Sequence, residues 1–223
     1  GIAIKLMTYG GRIIELHAPD RTGRSGNIVL GFDNLGQYLK KNPYFGATIG
    51  RFANRIAGGR FSIDHKPYFP PANDGPNTLH GGLTGFDQRV WSADEVETAG
   101  NRSLRLQYFS KDGEEGFPGN LRTSAVFTLT DNNELRIEYT ANKERPTTVN
   151  LTNHSYFNLK GPGNGDILDH RLVVYADQYT PTDETLIPTG QIVKVAGTPM
   201  DFTKPHRIGE RIAQVRNGYD CNY

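Results

Sequence analysis

Cysteine is almost absent from this chain, and Cys221 has no partner with which to close an internal bridge. A disulfide framework is therefore excluded, and a reducing compartment fits. No apolar run approaches the length of a membrane span. An excess of either charge is also missing: 25 Lys and Arg face 24 Asp and Glu, for a net charge of +1 with no basic block. That balance argues against nucleic acid and against an anionic membrane surface as partners. The histidines at positions 17, 65, 80, 154, 170 and 206 form no H-x-x-x-H or H-x-H pair, so metal-ligand spacing is lacking and no metal is expected. No G-x-S-x-G nucleophile elbow occurs. Sustained 3.6-residue periodicity is missing, and so is the period of a repeat protein.

What is present points to strands. Hydrophobic content is a low 36%, and 26 Gly with 13 Pro imply many turns. Phe and Tyr, 11 each, supply all the aromatics but one Trp, which favours extended chain. A length of 223 residues is normal for one all-β domain. The pattern predicts two strands over residues 2–18 around Gly10-Gly11, a short strand at 27–31, and others at 61–63, 103–109, 123–130, 134–141, 149–159, 171–175 and 192–195. One helical turn is expected at 35–41 before Pro43, and 207–214 is the other helical candidate. Gly161-Pro162-Gly163-Asn164-Gly165 looks like a phosphate loop, but no helix is expected after it, so it reads as a strand connection. The fold class expected is all-β, a large antiparallel β-sandwich in a single domain over 1–223.

One stretch stands apart. Residues 147–161 read T-T-V-N-L-T-N-H-S-Y-F-N-L-K-G. Strand alternation places Val149, Leu151, Asn153, Ser155, Phe157 and Leu159 on one side. Asn150, Thr152, His154, Tyr156 and Asn158 fall on the other, a face that is polar without being charged. Such a row suits a neutral, hydroxyl-rich ligand, and His154 is its only group that exchanges a proton near neutral pH. From the strand alone, a partly buried histidine with a satisfied hydrogen bond is the commoner arrangement.

Two further stretches carry polar chemistry. Residues 46–61 hold Arg51, Asn54 and Arg55 ahead of Gly58-Gly59, which predicts a tight hairpin pairing 52–56 with 60–63. Arginine can hold two vicinal hydroxyls through its fork of donors, whereas Arg51 and Arg60 read as surface arginines. Residues 73–82, N-D-G-P-N-T-L-H-G-G, set His80 before two glycines, where the backbone can approach a ligand closely. Glu114 and Glu115, adjacent in a glycine-rich turn, are expected to point apart into solvent.

Taken in order, these stretches resemble the aldose 1-epimerases, or galactose mutarotases. The matches are G-A-T-I-G-R-F-A-N-R-I at 46–56, G-P-N-T-L-H-G-G at 75–82, G-F-D-Q-R-V-W at 85–91, D-G-E-E-G-F-P-G at 112–119, N-L-T-N-H-S-Y-F-N-L at 150–159, D-F-T-K-P at 201–205 and G-Y-D-C-N-Y at 218–223. Seven motifs in sequence span nearly the whole chain. The resemblance implies a galactose mutarotase-like β-sandwich, a sugar cleft on one sheet, and interconversion of the α and β anomers of a free aldose without a cofactor. An acid protonates the ring oxygen while a base takes the anomeric proton, and the opened ring closes on its other face. By motif position His154 would be the acid, and His80 would hydrogen-bond the same region. Asn54, Arg55, Tyr156 and Asp220 would hold the sugar; Asn54 and Arg55, as strand neighbours, reach one ligand only through a bulge or twist.

Two departures accompany the match. Cys221 stands where the family more usually has His. The family's catalytic-base glutamate lies beyond Tyr223, so the chain is expected to be a fragment of a longer protein, truncated slightly at the N-terminus too. A binding or sensor module without the base is the alternative function, and an epimerase of phosphorylated hexoses is a third. The expected partner is a small free aldohexose, with the protein a monomer or homodimer. A cytoplasmic location is expected; because the chain opens at Gly1 inside a strand, a preceding signal peptide is also compatible.

Overall fold

The structure, a computed structural model, describes all residues from Gly1 to Tyr223. Its chain divides into two compact units, Gly1–Phe157 and Asn158–Tyr223. In the first, β1 (Ala3–Met7) and β2 (Arg12–Pro19) pair across Gly10-Gly11, and β3 (Ser25–Asn27) adds to β2. Gly10 has φ +79, and a side chain there would meet the Asp87 carbonyl oxygen at 2.4 Å, so both conformation and space demand glycine. A single helical turn, α1 (Leu35–Tyr38), starts at Asn34, whose side chain accepts from the Gln37 N–H. Short strands follow: β4 (Thr48–Ile49), β5 (Arg55–Ile56), β6 (Phe61–Ile63), β7 (Lys66–Tyr68) and β8 (Thr78–Leu79).

Four long strands, β9 (Ser92–Thr98), β10 (Asn101–Ser110), β11 (Leu121–Leu129) and β12 (Leu135–Lys143), then make one antiparallel sheet in the order β12-β11-β10-β9. Alternation on β11 sends Leu121, Ala125 and Phe127 inward, where Leu106 of β10 joins them. Against these pack Ile13 and Leu16 of β2, Val29, Phe86 and Trp91 in one buried cluster. Two sheets thus meet over a shared core within this unit, as a sandwich requires. The last element is β13 (Thr152–Asn153), paired with β4.

The second unit holds β14 (Arg171–Leu172), β15 (Gln178–Tyr179), β16 (Val193–Lys194) and β17 (His206–Arg207), paired β14 with β17 and β15 with β16. All ten strand pairings of the protein are antiparallel. The helical candidate at 207–214 is two 3-10 turns, Ile208–Glu210 and Ile212–Gln214. Asn158 is buried and donates to the Gly165 carbonyl at 3.1 Å, which folds 161–165 into the expected connection. No helix is long and apolar enough to cross a membrane.

Two local expectations are corrected. Gly58-Gly59 does not close a hairpin between 52–56 and 60–63: it lies in a 3-10 turn, β5 pairs with β8, and β6 pairs with β7. The reason is that Asn77, buried near Gly58, accepts its N–H at 3.0 Å and draws β8 alongside β5. The strand expected over 149–159 is also interrupted. Regular pairing covers only β13, and its alternation lapses at the far end, where Phe157 and Leu159 are 53% and 67% exposed.

Candidate active site

The polar stretch is pinned by backbone on both sides of its histidine. The His154 N–H donates to the Ala47 carbonyl at 2.8 Å, and the Gly46 N–H donates to the His154 carbonyl at 3.0 Å. Asn153, pointing the other way, ties down the same turn: its Nδ2 donates to the Gly46 carbonyl at 2.9 Å and its Oδ1 accepts from Ser155 N–H at 3.0 Å. With the main chain so held, the His154 ring lies beside Tyr156 (centroids 5.0 Å apart), Tyr44 (5.6 Å) and His80 (5.1 Å, perpendicular).

His80 follows β8 with φ +53, and its backbone N–H donates to the Asn54 carbonyl at 3.0 Å. In return the Asn54 N–H donates to His80 Nδ1 at 3.0 Å. An imidazole that accepts at Nδ1 carries its proton on Nε2 and is a donor there. Burial, then the neighbouring His154 and Arg55, lower its pKa to about 4, so His80 is a neutral donor throughout the physiological range. The two glycines after it serve the chain itself: a side chain on Gly81 would lie 2.0 Å from the Gly50 carbonyl oxygen. The close approach expected of a ligand is made by the backbone of Gly50.

Asn54 and Arg55 do share one side. Asn54 adopts φ +65, a left-handed kink that cancels strand alternation just before β5. Arg55 Nη1 lies 3.4 Å from Asn54 Oδ1, and Arg55 Nε donates to Asp74 Oδ2 at 2.7 Å. Tyr44 escaped the sequence analysis, although the only signal was an aromatic pair, Tyr44-Phe45, abutting the first motif. Its ring packs edge-on to His80 at 4.8 Å, and burial first, then Asp87 and Asp74, raise its pKa. Tyr44, Asp74 and Leu79 also line a neighbouring cleft of about 740 Å³, within the range of ligand pockets, with Asp87 among its walls.

Three residues read as solvent-facing are not. Arg51 is only 2% exposed and is a structural hub, with donors to the Pro118 and Gly119 carbonyls at 2.9 Å and to Ser110 Oγ at 2.6 Å. Glu114 accepts from Tyr108 at 2.5 Å and from Ser110, and pairs with Arg89 at 3.0 Å; its side chain is 15% exposed. Glu115 Oε2 accepts from Leu83 N–H at 2.7 Å. The turn at 112–119 folds back so that Glu114 meets Tyr108 and Ser110 of β10 while Glu115 reaches Leu83. Asp220 lies in the second unit, exposed, where it lines a cavity of about 280 Å³ with Tyr179, Met200 and Cys221. No group of three or more His, Cys, Asp and Glu side chains is arranged to hold a metal ion.

The site carries two titrations of opposite sign. His80, lowered from 6.5 to about 4, stabilises the fold above pH 6.5, and that stability is lost as pH falls toward 4. Asp87, raised by burial to about 6 against the opposing pull of Arg12, works the other way: its contribution is full below 3.8 and lost as pH rises through 6. The two largely offset each other between pH 4 and 6.5. Asp87→Asn removes one side, so urea midpoints of that variant should fall more steeply than those of wild type as pH is lowered from 6.5 to 4. Parallel slopes would show that Asp87 is not held protonated by the fold.

The sequence model of the aldose 1-epimerase family matches residues 1–223. The chain belongs to the aldose 1-epimerase family. It is 48% identical over 223 residues to the galactose mutarotase of Mus musculus and 44% identical to that of Homo sapiens, covering all of this chain and 64% of each relative. The aldose 1-epimerase of Escherichia coli (strain K12) is 38% identical over 202 residues, 91% of this chain and 57% of that protein. Among solved structures, galactose 1-epimerase from Lactobacillus acidophilus NCFM superposes with a TM-score of 0.87 at 32% identity, over 99% of this chain and 65% of that one. The chain thus spans somewhat under two thirds of the length of these epimerases. Their likeness extends to the galactose mutarotase-like all-β fold, in which the His80–His154 pair of this family member is set.

Proposed function

We propose that the protein interconverts the α and β anomers of a free aldohexose, such as galactose or glucose, by acid–base opening of the ring. The observation that carries this is the imidazole pair: His80 is locked by a backbone donor as an Nε2–H donor, perpendicular to His154 at 5.1 Å. A neutral donor and a second imidazole side by side can act on one ring oxygen in sequence. His80 steadies the charge that develops there, and His154 delivers the proton. Ring opening also requires a base to take the anomeric proton. Arg55 and Asn54 orient hydroxyls, and Tyr156 flanks the ring. Both units would belong to one catalytic domain, a reading supported by the family model that runs through them. The single cysteine supports a cytoplasmic location.

A paired substitution tests the placement of the sugar. Arg55→Lys keeps the charge but loses the planar fork, and should weaken galactose binding by about tenfold. Arg60, exposed beyond the Gly58-Gly59 turn and lying over Phe69, should tolerate Lys with no change in affinity. Titration calorimetry that finds the two variants alike would remove the sugar from this face.

A further inference from the structure

We infer that Asp74 is a positioning residue: it fixes the Arg55 guanidinium through Nε so that the Nη edge stays presented to the sugar. The inference rests on the sugar-binding role proposed above for Arg55. A guanidinium is a plane with one donor edge at Nε and others at the two Nη groups. Asp74 Oδ2 takes the Nε edge at 2.7 Å, while Nη1 remains on the Asn54 side at 3.4 Å. Rotation about the Cδ–Nε bond would break the Asp74 contact, so the fork has one preferred orientation.

Asp74 is itself held firmly. Asp74 and Asn77 exchange backbone hydrogen bonds at 3.1 and 3.0 Å, closing a two-residue turn over Gly75 and Pro76. Asn77 is buried and anchored to Gly58, and Asn73 binds Leu79 N–H at 2.6 Å and the Gly82 carbonyl at 2.7 Å. One braced loop therefore carries both the carboxylate that sets Arg55 and the imidazole of His80. The carboxylate also sits where its charge opposes that of Arg55 at His80, one lowering and the other raising the imidazole's pKa. The Asp74 side chain is 38% exposed and that of Arg55 12%. With the Asp74 carboxylate open to solvent, screening limits what the pair adds to stability, and what remains is its hold on the orientation of the fork.

The test uses the protein as encoded in full, with D-galactose as the probe. Kd is read by calorimetry and KM and kcat by polarimetry. Asp74→Ala should raise Kd and KM by about tenfold with kcat within about twofold, because the fork binds ground state and transition state alike. Asp74→Asn keeps the shape and an acceptor but not the charge, and should raise both by about threefold. Should the Ala variant fail to fold, the isosteric Asn variant carries the measurement. In an Arg55→Ala background either Asp74 change should add nothing, since a residue that acts only through Arg55 has nothing left to position. Unchanged constants in Asp74→Asn, or an equal loss with and without Arg55, would overturn the inference while leaving the sugar site intact. A wild-type protein that neither binds nor turns over galactose would overturn that site, and this inference with it.

Discussion

His154→Ala is expected to slow catalysed anomer interconversion by about 10²–10⁴-fold, the worth of a positioned general acid. The substitution removes the only imidazole on its polar stretch. The backbone bonds from His154 to Ala47 and Gly46, and those of the Asn153 side chain, survive the substitution and continue to hold this turn. The ring is partly exposed and packs against Tyr44, Tyr156 and His80, so the fold should persist with at most a modest loss of stability. Polarimetry on freshly dissolved α-D-galactose, with the spontaneous rate subtracted, measures the effect. A folded variant with the wild-type rate would take the acid role away from His154.

The largest effect on stability is expected at Arg51. Its guanidinium ties the carbonyls of Ser110, Lys111, Pro118 and Gly119, with the Ser110 and Thr147 hydroxyls, into one buried knot. Arg51→Leu keeps apolar bulk but strands these acceptors, each at about 1–3 kcal/mol where water cannot reach. A total loss above about 4 kcal/mol follows, enough to unfold a domain of ordinary stability. Arg51→Lys, with one ammonium in place of the fork, should recover only part of it. Urea unfolding followed by tyrosine and tryptophan fluorescence distinguishes these outcomes. A loss under about 1 kcal/mol in Arg51→Leu would mean that the knot is loose or hydrated.

The fate of Arg51 shows where the sequence was legible and where it was not. Long alternating runs such as Leu121–Leu129 announce their own inward face, so β10, β11 and β12 could be read directly, whereas the charged edge strand β9, S-A-D-E-V-E-T, was missed. His154 and His80 stood out through motif order, since the polar stretch alone favours a structural histidine with a satisfied hydrogen bond. Contacts made across many residues were not legible. Arg51 binds partners 59 to 96 positions away, and no local pattern tells a buried arginine bound to carbonyls from a surface one. The same limit hid the inward turn of Glu114, and the role of Asn77 in drawing β8 to β5. Asn54 and Arg55 lay between these extremes. Their joint action required a break in alternation, and the left-handed φ of Asn54 supplies it, at a residue type that tolerates that conformation.

Optical rotation of fresh α-D-galactose, followed with the protein as encoded in full, tests the central claim most directly. The account predicts an approach to the anomeric equilibrium that accelerates in proportion to enzyme concentration, reaches the same final rotation as the uncatalysed solution, and is lost in His154→Ala. A protein that binds galactose in calorimetry yet leaves the rate at its spontaneous value would contradict it, and would make this cleft one that holds sugars without opening them.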